Sequence, residues 1–243
     1  MTGTFINIAA ILIGGSLGLL FGSRVPENIK KTVIAGMGLF TAVTGVKMFF
    51  ETKNSLIVLG ALLIGALLGE WWRIEDGLQK LGEILEKRFA RSDHESKNLA
   101  NSRNFAPSGA FVRGFMIASL LYCIGPIAIL GSIQAGLSGD YNLLIIKSVL
   151  DGFASLAFAS TLGVGVLFSA MMILLYQGTI TLLAAQLNAI VTPAMMAELT
   201  ATGGVLLLGI AVSSLLEIKP IRVGNFLPAL AIAPLIVWVI GLF

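Results

Sequence analysis

Residues 114–186 read GFMIASLLYCIGPIAILGSIQAGLSGDYNLLIIKSVLDGFASLAFASTLGVGVLFSAMMILLYQGTITLLAAQ. The stretch is apolar enough for three membrane spans, each near the ~20 residues a bilayer requires. Three features interrupt it. Gly125-Pro126 falls inside the first span, Lys147 and Asp151 inside the second, and Gln177-Gly178 inside the third. A charge at the centre of a span costs roughly 2.5–3.5 kcal/mol on insertion scales. A Gly-Pro pair frees backbone groups that lipid cannot satisfy. Such departures are expected where a membrane protein builds a polar site.

Composition agrees outside that stretch. Of 243 residues, 56% are hydrophobic and 12% charged, about half the charge of a soluble domain. The fold class expected is all-α, a polytopic bundle of about eight transmembrane helices. The net charge is +3, and half of the 16 Lys and Arg fall between Arg73 and Arg113. Flanking spans as they do, these charges read as a topology signal, not as a nucleic-acid surface. The one cysteine, Cys123, excludes an internal disulfide and a paired-cysteine metal site. The one histidine, His94, sits in a polar stretch with no partner ligand nearby, so no metal and no cofactor are expected.

Eight spans are expected, at about 5–21, 32–50, 56–72, 111–135, 143–160, 166–186, 199–216 and 226–243. The last carries Pro228 and Pro234. The first has no basic region before it and reads as a retained span, not a signal peptide. Gly14, Gly18 and Gly22 put three glycines on one face of it, and Gly65 and Gly69 do the same in the third; both permit close helix approach. Arg24, Lys30 and Lys31 read as a basic loop after span one, and Asn188–Glu198 as a loop before span seven. Between spans three and four, Ile74, Leu78, Leu81, Leu85 and Phe89 recur at steps of three and four with charges on the other faces. That is an amphipathic helix, suited to the membrane surface or to a partner subunit. Polar, aperiodic Ser92–Gly109 follows as a linker. The chain therefore divides into a three-span segment (1–73), the helix and linker (74–110), and a five-span segment (111–243).

Loops after spans one, three and seven are basic, and those after four and six carry no Lys or Arg. This places the basic loops in the cytoplasm and both termini outside. Shifting the chain by 167 positions gives seven identities over 46 positions, Pro26 on Pro193 and Trp71 on Trp238 among them. With that span parity, a true repeat would be inverted, as is common in secondary transporters.

Lys147 and Asp151 are four apart and share a helix face. Ser148 and Ser155 add hydroxyls to that helix, and Gln177 and Gln134 could complete a polar cavity. A buried carboxylate beside hydroxyls and carbonyls freed at Gly125-Pro126 can bind Na⁺ or carry a proton. The competing reading is that Lys147 only neutralises Asp151 for insertion. No enzyme is expected: no phosphate-binding loop precedes a helix, no nucleophile–His–acid set exists, and Asp140 is a loop residue.

The run Gly125–Asp140, GPIAILGSIQAGLSGD, followed by KSVLDG at Lys147–Gly152 and by Gln177-Gly178, resembles the family called domain of unknown function 554. Gly65, Gly69-Glu70 and Ile74-Glu75 resemble it too, and the likeness covers nearly the whole chain. It implies a small multi-pass protein of the bacterial cytoplasmic (inner) membrane, usually labelled a transporter, and brings neither substrate nor site residues. The expected function is a secondary transporter or permease for a small solute or ion. The alternative is a non-transporting scaffold that docks partners on 74–89. Expected partners are the lipid bilayer, the solute or ion with Na⁺ or H⁺ coupling and, as an open option, further copies in a homo-oligomer, with no nucleic acid.

Overall fold

The structure, a computed structural model, describes residues 1–22, 24–89 and 109–241. Helices α1 (Thr2–Gly22), α2 (Glu27–Phe49) and α3 (Ser55–Trp72) are followed by the amphipathic α4 (Ile74–Phe89). Then come α5 (Ala110–Cys123), α6 (Pro126–Leu137), α7 (Asn142–Leu162), α8 (Gly165–Leu182) and the short α9 (Ala184–Ile190). A π-helical turn, Ala211–Leu215, extends α10 (Pro193–Ile210), and a 3-10 turn, Val223–Phe226, leads into α11 (Ala229–Ile240). Among the described residues the protein is all-α. Among the described residues seven helical segments are long and apolar enough to cross a membrane, and eight if the bent pair α5–α6 is counted as one span. His94 and the linker expected at 92–109 lie outside the described residues, except Gly109.

Local chemistry explains where the helices start and stop. The Asn54 side chain accepts the Leu56 N–H at 3.1 Å and caps α3, which ends at Arg73 in a left-handed conformation (φ 53°). Thr192 caps α10 through the Met195 N–H at 3.2 Å, with Pro193 at the first helical position. Two expected boundaries are corrected here. Lys30 and Lys31 lie in the first turns of α2, which starts directly after Pro26, so they are not loop residues. Glu198 lies inside α10 and is buried. In both places a charge near the end of an apolar run mimics a loop.

Glycine registers fix the packing. A Cβ built on Gly14 would lie 2.1 Å from the Gly152 carbonyl oxygen, on Gly18 2.3 Å from that of Leu156, and on Gly22 2.7 Å from that of Ser160. The glycine face of α1 therefore runs parallel to α7 with backbones in contact. Helix α8 runs parallel to α5–α6 in the same way: Gly165 meets Phe111, and Gly136 meets Thr181. In contrast, α2 lies antiparallel to α10, with Gly38 against Leu216 and Gly45 against Gly204. Helix α3 lies antiparallel to α11, with Gly65 against Ala229 and Gly69 against Asn225. Helix α10 with its π-turn is central: 67% of its most apolar stretch is buried, against 17% for α2.

The shift of 167 carries α2 onto α10 with its π-turn, and α3 onto Val223–Ile240, within one residue at each end. Both pairs pack antiparallel. So does α1 against α8, with Met1 beside Gly178 and Gly15 beside Leu167. An inverted repeat would pair its helices in this sense.

The two ends of the bundle differ. At one end Arg113 donates to the Ser214 carbonyl at 2.8 Å and pairs with Glu217, and Arg222 bridges Glu70 (3.0 Å) and Asp76 (3.3 Å). There the Glu75 carboxylate of α4 accepts the Gly224 N–H at 2.8 Å, and Asn225 pairs with both Glu70 and the Glu75 N–H. Burial raises the Glu75 carboxyl above its ordinary value of 4.5, an effect the Gly224 N–H partly opposes. At the other end Glu198 accepts from the Thr52 hydroxyl (2.6 Å), the Lys53 N–H (2.7 Å) and the Asn54 N–H (3.0 Å). The ends of α3 and α10 and the start of α5 share the first end. The α2–α3 turn and the start of α10 share the second. That parity is the one eight spans would have, with α5–α6 counted as one.

Candidate functional site

Asp151 lies nine residues into the 21-residue α7, roughly 13 Å along it at ~1.5 Å per residue, which is mid-depth for this span. Its Oδ2 pairs with the Lys147 ammonium one turn earlier. The same oxygen accepts the Asn7 Nδ2–H at 3.0 Å from α1. Both charged side chains are nearly buried, with 9% and 10% of their surface accessible. The Lys147 ammonium also stands 5.9 Å from the ring centroid of Tyr122, within cation–π range. The Tyr122 hydroxyl and Ser155 Oγ are 2.8 Å apart.

That contact links the ion pair to the helix break. Tyr122 is the penultimate residue of α5. The helix stops at Cys123, and α6 restarts with Pro126 at its first position, bent by 63°. Pro126 cannot donate a backbone hydrogen bond, so the break falls where the expectation placed it. The last carbonyls of α5 have no intrahelical donor. The Tyr122 side chain beside them reaches both Lys147 and Ser155.

The other sequence-derived candidates fare differently. Ser148 is buried, but its hydroxyl bonds the Leu144 carbonyl of its own helix at 2.6 Å and stays out of the pair. Gln177 is fully buried, and neither side-chain polar atom has a partner among the described residues. Gln134 is exposed near the end of α6 and does not join the buried cluster, so its expected place in the cavity is corrected. Asp140 is exposed and accepts the Asn142 N–H at 3.0 Å, far in role from Asp151. Among the described residues no group of three His, Cys, Asp or Glu could hold a metal ion.

Sequence reading missed Asn7 and Tyr122. Asn7 is a lone amide in an apolar run, three residues after Thr4, and that polarity was the available signal. Its partner is 144 positions away. Because its neighbour is a carboxylate, Asn7 must present its amide N–H to Asp151, which fixes the side-chain orientation. Across the break from the ion pair runs an apolar groove of about 960 Å³, reaching from Leu78 of α4 past Cys123 and Tyr176 to Ile190 of α9.

The family described as Protein of unknown function (DUF554) matches residues 2–238. The chain is 33% identical over 231 residues to "Uncharacterized protein YqgA" of Escherichia coli (strain K12), covering 95% of this chain and 94% of that one. It is 31% identical over 247 residues to "Uncharacterized membrane protein YdfK" of Bacillus subtilis (strain 168), covering 100% of this chain and 98% of that one. No solved structure matches. With the family matched from end to end and two full-length relatives above 30% identity, the chain is a membrane protein that belongs to the DUF554 family.

Proposed function

We propose that this protein is a secondary transporter or permease for a small solute or ion, and not an enzyme. One observation carries the reading: a buried Lys147–Asp151–Asn7 cluster lies at mid-depth beside a broken helix. Ionisable groups inside a span commonly mark ion or solute pathways, and secondary transporters place their sites at discontinuous helices near the midplane. The antiparallel pairs α1/α8, α2/α10 and α3/α11 supply the matching scaffold, since rocking one repeat against the other exposes a central site alternately. By the loop charges, the end carrying α4 faces the cytoplasm of a bacterial inner membrane and both termini lie outside.

The scaffold alternative gains less from the structure. Helix α4 uses its inward face on this chain: Gly82 sits against Val112 and Phe115, and Glu75 against Gly224. The test is reconstitution into liposomes and a screen for flux driven by Na⁺, H⁺ or solute gradients. Flux above protein-free liposomes that falls in Asp151→Asn is expected. No flux under any gradient, from protein shown to be folded, contradicts the proposal.

A further inference from the structure

Among the described residues, six buried polar atoms on α1, α6 and α8 have no hydrogen-bond partner: Thr4 Oγ1, Asn7 Oδ1, Ser132 Oγ, Thr181 Oγ1, and Oε1 and Nε2 of Gln177. Buried polar groups in folded proteins are overwhelmingly paired, so a cluster of unpaired ones calls for a missing ligand or water. The helix registers bring Thr4, Ser132 and Gln177 to about one level, with Asn7 and Thr181 roughly a turn to either side. Helix α6 runs parallel to α8 with Gly136 against Thr181, which sets Ser132, one turn back, level with Gln177. Helix α1 runs antiparallel to α8 with Met1 beside Gly178 and Gly15 beside Leu167, which sets Thr4 at that level too. Asn7 gives its N–H to Asp151 and so keeps its carbonyl oxygen for something else. Thr4, Asn7, Ser132 and Gln177 are each fully buried, and Thr181 is 7% exposed.

The donor set is specific in kind. Five of the six atoms are uncharged oxygens able to accept or coordinate. Among the described residues the carboxylate beside them is Asp151, whose charge is already matched by Lys147. Divalent Ca²⁺ and Mg²⁺ sites draw on unpaired carboxylates or retained waters, and softer metals need thiolate or imidazole. Neither kind is present in this cluster. We propose that these groups hold a dehydrated monovalent alkali cation, Na⁺ or K⁺, beside the Lys147–Asp151 pair. Asp151 then orients Asn7 toward the ion and does not bind it. This deepens the transporter reading by naming a coupling ion, and it rests on that reading only for the ion's role in transport.

The experiment is thermal unfolding of the purified full chain in NaCl, KCl and choline chloride at equal ionic strength. Wild type, Gln177→Leu, Ser132→Ala and Thr4→Val are compared. A ligand of the folded state raises its apparent stability. The expected result is a saturable rise of roughly 3 °C or more in NaCl or KCl over choline chloride, absent in Gln177→Leu and Ser132→Ala. Since each variant removes an unpaired buried group, its unfolding temperature in choline should equal or exceed that of wild type. If one variant fails to fold, the others still read the increment. Equal stability in all three salts means that water fills the cluster and overturns the inference, as does an increment that survives in the variants. Flux without a salt-specific shift also overturns it, while leaving a transporter with another coupling ion. A salt-specific shift without flux supports the cation site and contradicts transport.

Discussion

Asn7 of α1 donates to the same Asp151 oxygen that Lys147 occupies, so the first helix of the chain completes a site built on the seventh. The hydrogen bond is 3.0 Å long and fully buried. It can form only because the glycine face of α1 lets the two backbones meet, and packing and chemistry are thus parts of one arrangement.

Replacing Asn7 by Leu should therefore destabilise the protein by about 1.5–3 kcal/mol, the range for a hydrogen bond to a charged group. Thermal unfolding in detergent measures this. Asn7→Asp should be worse than Asn7→Leu, because it sets two carboxylates against each other. Equal stability of Asn7→Leu and wild type would mean that the bond contributes nothing.

The α1–α7 contact makes a sharper prediction. A Cβ at Gly14 would lie 2.1 Å from a backbone oxygen, which cannot rotate away. Gly14→Ala should cost about 2–3 kcal/mol or more as the helices separate, with a large loss of folded yield. Gly36 on α2 has, among the described residues, nothing within 4 Å of the point where a Cβ would stand. Gly36→Ala should be neutral or should gain roughly 0.5–1 kcal/mol from helix propensity. If both variants behaved alike in a yield and unfolding assay, the close approach would be wrong.

Much of the fold was legible in the sequence because the bilayer imposes a length and an apolar composition on each span. The break at Gly125-Pro126, the glycine faces and the Lys147–Asp151 face were legible for similarly local reasons. What failed was non-local. Gln134 and Gln177 are the same residue type in similar runs, yet one is exposed and the other buried; only packing separates them. Glu198 read as a loop residue because the backbone N–H groups that satisfy it belong to a turn 144 and 145 positions away. Ser148 was a reasonable ligand by spacing, but a helical serine can turn back to its own carbonyl, and this one does.

Glu75 gives the site-distant face a pH signature. Burial raises its carboxyl above 4.5 in the folded protein. The folded state thus holds that proton to higher pH than the unfolded chain. Stability should fall as pH rises from about 4.5 through the raised folded value, and this contribution is flat outside that window. Glu75→Gln keeps an oxygen for the Gly224 N–H and removes the titration. Unfolding temperatures from roughly pH 4 to pH 8 should show the variant gaining on wild type as pH rises. A difference that does not change with pH would contradict the assignment.

The working role of the Lys147–Asp151 pair is tested most directly by comparing Lys147→Met, Asp151→Asn and the double variant. Each single change leaves one buried charge unpaired, at about 3–5 kcal/mol, and should lower folded yield. The double change removes both charges and should restore it. The deciding measurement is gradient-driven flux into proteoliposomes, normalised to folded protein. The double variant should fold and fail to transport. Full flux in the folded double variant would contradict the function proposed for the pair and leave Lys147 as nothing more than the neutraliser of Asp151.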